Sequence, residues 1–218
     1  MIVILSSFTA FAGAVFLAAL LMNLTRKNTS LVTLYVIQSL TVAAALITLA
    51  SVNGSIGLLY AGLLTLAVKV AMAPAFLWRM IRKYSAHFSA ASYLSVPLSL
   101  IALAAITVFS YSFIASRISN FSANASVPLL LASIFIAFFL MVNRRGALAQ
   151  VIGVLALENG VVLLASLLGV EHSFALELAI AFDIAVWIAI ASTFLTMMYR
   201  QFGVVEHATL TMTHLREE

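Results

Sequence analysis

A chain of 218 residues in which 64% are apolar and only 8% charged has no polar shell to cover a core facing water. This excludes a soluble globular enzyme, and the apolar runs leave no room for a separate domain that binds a nucleotide or cofactor. The net charge of +4 comes from lysines and arginines gathered in short connections. It therefore speaks to membrane orientation and anionic lipid, with no nucleic-acid partner.

Seven windows are long and apolar enough to cross a bilayer: residues 2–24, 31–51, 56–78, 92–115, 126–143, 147–169 and 174–199. In lipid the backbone must satisfy its own hydrogen bonds, and the period-two alternation of a barrel is absent, so the windows predict helices. The first lacks the basic n-region of a signal peptide and exceeds its apolar core in length, which predicts a retained helix. Arg26 and Lys27 follow the first window, Arg79, Arg82 and Lys83 the third, Arg144 and Arg145 the fifth, and Arg200 and Arg216 the seventh. The alternate connections hold Asn53-Gly54-Ser55, Arg117 and Glu171-His172. Lysine and arginine thus collect on one side, predicting an all-α, polytopic membrane helical bundle of seven transmembrane helices, N-terminus out and C-terminus cytoplasmic.

The chain divides into residues 1–91, three spans with a cytoplasmic loop; 92–125, a linking fourth span; 126–200, three more spans; and 201–218, a cytoplasmic tail. Residues 2–83 and 126–200 follow one order: a helix, a basic turn, a helix with a polar residue at mid-span, and a helix with an ionisable residue before a basic exit. A duplicated three-helix unit accounts for this, as does chance similarity between apolar hairpins.

Three ionisable residues fall deep in the windows: Lys69, Glu158 and Asp183. Reading helix from Ala147 to Gly169 places Glu158 roughly 16 Å from either end, near the bilayer midplane. Each such charge costs about 2.5–3.5 kcal/mol at a span's centre, and the three together roughly 8–10 kcal/mol if unpaired. For Glu158, with Asn159 beside it, the structural reading is a carboxyl packed against a neighbouring helix; the functional reading is a group that takes up and releases a proton or ion. Asp183 reads as a second station or as the buried partner of Lys69. Lys69 reads as a switchable charge or as a side chain snorkelling to the surface. Pro74 cannot donate to the carbonyl of Val70, which predicts a bend beside Lys69. Gln38, Ser39 and Thr41 form a polar patch in the second window, and Gly153 and Gly160 line a side of the sixth that can approach a neighbour closely. Glu177 falls near the start of the seventh window. His87, His172, His207 and His214 lie in connections or tail without metal-ligand spacing. No cysteine is present, and no phosphate loop, catalytic triad or dinucleotide fingerprint.

Gln38-Ser39-Leu40, Lys69-Val70 followed by Pro74, Arg144-Arg145, Leu157-Glu158-Asn159-Gly160 and Asp183 together resemble the hydrogenase-4 component E family. That family is a membrane subunit of formate hydrogenlyase and group 4 [NiFe]-hydrogenase complexes. Residues 126–200 are also similar, more loosely, to the K subunit of respiratory complex I and the C subunit of Mrp-type sodium/proton antiporters. In the K subunit the glutamate follows the glycine by two residues; here Glu158 follows Gly153 by five.

The resemblance implies a non-catalytic subunit of a complex I-related redox complex in a prokaryotic cytoplasmic membrane. Glu158, Asp183, Lys69, Asn159 and Gln38 would serve a proton or sodium path. This chain would bind no cofactor or metal, and the [NiFe] and iron–sulfur centres would sit in a peripheral redox module. Antiporter-like and complex I H-subunit-like proteins would be its membrane neighbours. The alternatives are a Mrp-type antiporter subunit without a redox partner, and a purely structural anchor.

Overall fold

A computed structural model describes residues 2–83, 92–117 and 126–168. The window 174–199 with Glu177 and Asp183, the tail, and all four histidines lie outside the described residues.

Among the described residues the chain is all helical, with no β-strand. The helices are α1 (Ile2–Leu24), α2 (Asn28–Asn53), α3 (Ile56–Thr65), α4 (Ala73–Lys83), α5 (Val96–Arg117), α6 (Ser126–Asn143) and α7 (Ala147–Leu167). A π-helical segment, Leu66–Met72, joins α3 to α4 without a break. Five stretches are long and apolar enough to cross a membrane: Asn28–Asn53, Ile56–Arg82, Val96–Ile114, Ser126–Asn143 and Leu148–Leu167. This is the architecture of a multi-pass membrane protein.

The connections are written locally in the sequence. Gly54 closes α2 at φ 65°, a left-handed conformation that glycine adopts without steric cost, and its N–H donates to Ala50 O. Ser55 then caps α3 by accepting from Leu58 N–H. Asn53-Gly54-Ser55 is therefore a helix stop followed by a helix start. In the third span an α-helical Val70 carbonyl would find no donor on Pro74. The chain meets this with the wider π turn, in which Ala73 N–H reaches back five residues to Val68 O.

The hydrogen bonds give helix directions. Thr9 meets Ser126 at 3.0 Å near the starts of α1 and α6, and Asn23 donates to Ile136 O at 3.2 Å towards their ends, so these two helices run parallel. Asn159 on α7 meets Ser39 on α2, similarly placed after each helix start. The basic turns after α1 and α6 are tied directly. Arg144, buried to 4% exposure, donates to Asn23 O at 2.7 Å and to Thr25 O. Burial, and then Arg26 nearby, hold its guanidinium below the usual arginine range. Arg144→Gln is expected to cost about 1.5–3 kcal/mol, the worth of hydrogen bonds from a charged donor, read from chemical unfolding in detergent micelles.

Two apolar clusters fill the interior. At the basic end Met22, Leu31, Tyr35, Leu77, Leu140 and Ile152 pack together; at the other end Phe8, Val15, Leu46, Leu58, Leu130 and Leu163 do so. On α2, the third span and α7 the polar residues lie between the two clusters: Gln38 and Ser39 on α2, Lys69 in the π segment, Glu158 and Asn159 on α7. The apolar core is split by a polar belt. By contrast α5 packs chiefly through Leu103, against Ala19 and Ile136, and leaves most of its large side chains exposed.

Glycines set the α6–α7 distance. A Cβ on Gly153 would sit 2.5 Å from Met141 Cγ and 3.3 Å from Ala137 O, and one on Gly160 would sit 2.8 Å from Ile134 Cγ1. This is the small-residue face the sequence predicts. Gly153→Ala is expected to destabilise the bundle by about 1–3 kcal/mol through overpacking. Gly13, whose Cβ would meet nothing within 4 Å, is the control: Gly13→Ala is expected to be neutral or stabilising by about 0.5–1 kcal/mol in the same unfolding assay.

Candidate functional site: a polar belt at mid-span

Lys69 stands at the midpoint of the span Ile56–Arg82. Glu158 occupies the middle turn of α7. Lys69 Nζ lies 3.0 Å from Glu158 Oε1, with side-chain exposures of 3% and 20%. Glu158 is the single carboxylate among the described residues, and the fold brings the buried lysine and the partly buried glutamate together from different halves of the chain.

The magnitudes are balanced. Two charges at this depth cost about 5–7 kcal/mol by insertion scales. Attraction at 3.0 Å in an effective dielectric of ~20 returns about 5–6 kcal/mol. The pair is close to neutral for folding, and neither member is stable there alone.

Beside the pair, Asn159 is fully buried and turns to α2. Its Nδ2 donates to Ser39 Oγ at 2.8 Å and to Gln38 Oε1 at 3.4 Å. Gln38 Nε2 in turn reaches Val15 O on α1 at 3.4 Å. Asn159 Oδ1 is buried without a hydrogen-bond partner among the described residues, an acceptor with capacity for a water molecule. Adjacent residues of α7 thus divide the work: Glu158 faces the third span and Asn159 faces α2.

The structure unites Lys69, Glu158, Asn159 and Gln38 in one belt, while Asp183 lies outside the described residues. Lys69 does not snorkel; its ammonium is held at mid-depth by Glu158. Pro74 follows the π segment that carries Lys69, so the irregularity predicted near it takes the form of a widened turn centred on the lysine. Of the α2 patch, Ser39 joins the belt, whereas Thr41 is half-buried and bonds back to Ile37 O at 2.8 Å.

Sequence reasoning passed over Tyr35, which is fully buried one turn before Ser39. Its spacing of three and four residues from Gln38 and Ser39 was the available signal. It also passed over Asn23, which ties α1 to α6 and reads in sequence only as a residue near a turn. The chemistry available in the belt is proton handling: a carboxylate that can be neutralised, an ammonium that answers any change in it, and amides and a hydroxyl that can donate and accept. Comparison of the chain with family models, with curated proteins and with solved structures finds no match.

Proposed function

We propose that this chain is a non-catalytic, seven-span membrane subunit of a complex I-related redox complex, of the group 4 hydrogenase or formate hydrogenlyase kind, in a prokaryotic cytoplasmic membrane. Lys69, Glu158, Asn159 and Gln38 belong to its proton or sodium path, with Asp183 a further station. The observation that carries this reading is the Lys69–Glu158 pair, 3.0 Å apart between two apolar clusters. The resemblance of Lys69-Val70 with Pro74, and of Leu157-Glu158-Asn159-Gly160, to hydrogenase-4 component E supports the kind of complex.

A proton arriving at Glu158 cancels the carboxylate's charge and leaves Lys69 without its counter-ion. The lysine must then move or give up a proton. Because coupling between the two sites is reciprocal, any event elsewhere that displaces Lys69 changes the hold of Glu158 on its proton by the same free energy. The pair is a two-state element of the kind through which a peripheral redox reaction can drive an ion. The redox centres themselves belong to partner subunits, beside antiporter-like and H-subunit-like membrane proteins.

The test is purification of the tagged full chain from its native membrane, with identification of the associated polypeptides and of their nickel, iron and flavin content. Nickel- and iron-bearing partners are the expected result. Antiporter subunits without any redox protein would replace this reading with that of a cation/proton antiporter.

A further inference from the structure

A second feature lies away from the polar belt and does not depend on it. α5 and α6 run antiparallel, since Ser99 near the start of α5 accepts from Asn143 Nδ2 at the end of α6 at 3.2 Å. Between them on the outer surface is a groove of about 440 Å³ lined by Ala105, Phe109, Phe135, Phe138, Phe139 and Val142. A second hollow of about 440 Å³, lined by Tyr93, Leu94 and Asn143, shares Phe139 and Val142 with the first and continues it to the basic end of the bundle. There the exposed Arg145 guanidinium lies 4.5 Å from the centroid of the Tyr93 ring.

The geometry points to a binding site for an anionic phospholipid, its phosphate held at Arg145 and an acyl chain laid along the phenylalanine groove. Three observations favour lipid over the helix of another subunit. First, charge is complementary: a cation at the mouth, on the side where Arg26, Lys27 and Arg144 also lie, suits a phosphodiester. Second, the walls have the wrong texture for a helix. Where this protein packs helices closely, at Gly153 and Gly160, the contact face is built from small residues. The outer groove is edged by bulky rings instead, with Phe109 and Phe135 edge-on at 6.1 Å, which leave a slot suited to a flexible chain. Third, the length fits. Val142 to Phe135 covers roughly 10 Å of helix, inside the roughly 15 Å that one leaflet of a ~30 Å hydrocarbon core supplies.

Native mass spectrometry of the delipidated full chain, titrated with phosphatidylglycerol or with phosphatidylcholine, reads the site. Phosphatidylglycerol is expected to bind about fivefold more tightly, the effect of one interfacial arginine on an anionic headgroup. Arg145→Gln should bring the ratio to about one, and Arg145→Lys should keep a preference. Ala105→Phe, which fills the groove, should weaken both lipids. Equal binding by the unaltered chain, or an undiminished preference in Arg145→Gln, overturns the proposal. Arg145 is exposed in a turn, so its variants leave the packed core intact. A photoreactive benzophenone amino acid at position 138, activated in native membranes, separates the occupants. An adduct of phospholipid mass supports the site; an adduct with a polypeptide shows that another subunit covers it, and the proposal fails.

Discussion

Replacing Lys69 by methionine is expected to destabilise the bundle by about 3–5 kcal/mol, and Glu158→Leu by a similar amount. The double variant Lys69→Met with Glu158→Leu is expected to lie closer to the unaltered protein than either single variant. Each single change leaves one charge in a belt bounded above and below by apolar clusters. The survivor must then be neutralised or drag water to mid-depth. Removing both charges deletes the desolvation cost and the attraction together, and for this pair the two are nearly equal. Methionine and leucine also approximate the volumes they replace. Unfolding in mixed micelles by increasing denaturing detergent, run as a double-mutant cycle, measures the coupling. Losses that simply add would show that the 3.0 Å contact carries no mutual stabilisation.

Glu158→Gln is expected to lower ion movement by roughly tenfold or more while assembly survives. The amide keeps the shape of the side chain and an oxygen to accept from Lys69, but it cannot bind and release a proton. Removing a positioned proton-transfer group typically costs 10²–10⁴-fold in the step it serves, and an alternative route through water recovers part of that. The measurement is pH-dye flux in vesicles holding the purified complex, driven by its electron donor, with Glu158→Asp alongside. The shorter carboxylate should retain part of the flux, because it still titrates. If Glu158→Gln lowers the yield of assembled complex while the complex that does form turns over and moves ions normally, the belt is a structural lock and the chain an anchor.

The legibility of this protein in its sequence follows the length scale of the cause. Helices set by bulk hydropathy were readable to within about five residues: the window 126–143 coincides with α6, the window 92–115 begins four residues before α5, and the third window stops five residues short of the end of α4, where Arg79, Arg82 and Lys83 lower the hydropathy while the helix continues through them. Local chemistry was readable too, as in the Gly54 stop. The partners of buried charges were not. Lys69 and Glu158 are 89 positions apart, and nothing in either helix says which neighbour it faces. Lys69 could be matched as well to Asp183 on sequence grounds. The surplus residue of the π segment hides the register further, since one residue turns a helix by about 100°. The partners of Arg144 are hidden for a related reason: its place in the basic connection after α6 is legible, whereas its insertion under the end of α1, where the carbonyls of Asn23 and Thr25 receive it, is not.

The long sequence separation between the two charges bears on how the protein is made. At a synthesis rate of ~5–20 residues per second, the ribosome delivers Glu158 roughly 5–20 s after Lys69. Throughout that interval a nascent chain holds an ammonium that has no counter-charge from α7 and must be sheltered by the insertion machinery, by water or by tilting of the span. Chains released early, before residue 158 has emerged, carry that lone cation permanently. Such chains lack the contact that holds Lys69 at mid-depth, so they are expected to be less stable in the membrane than the complete bundle.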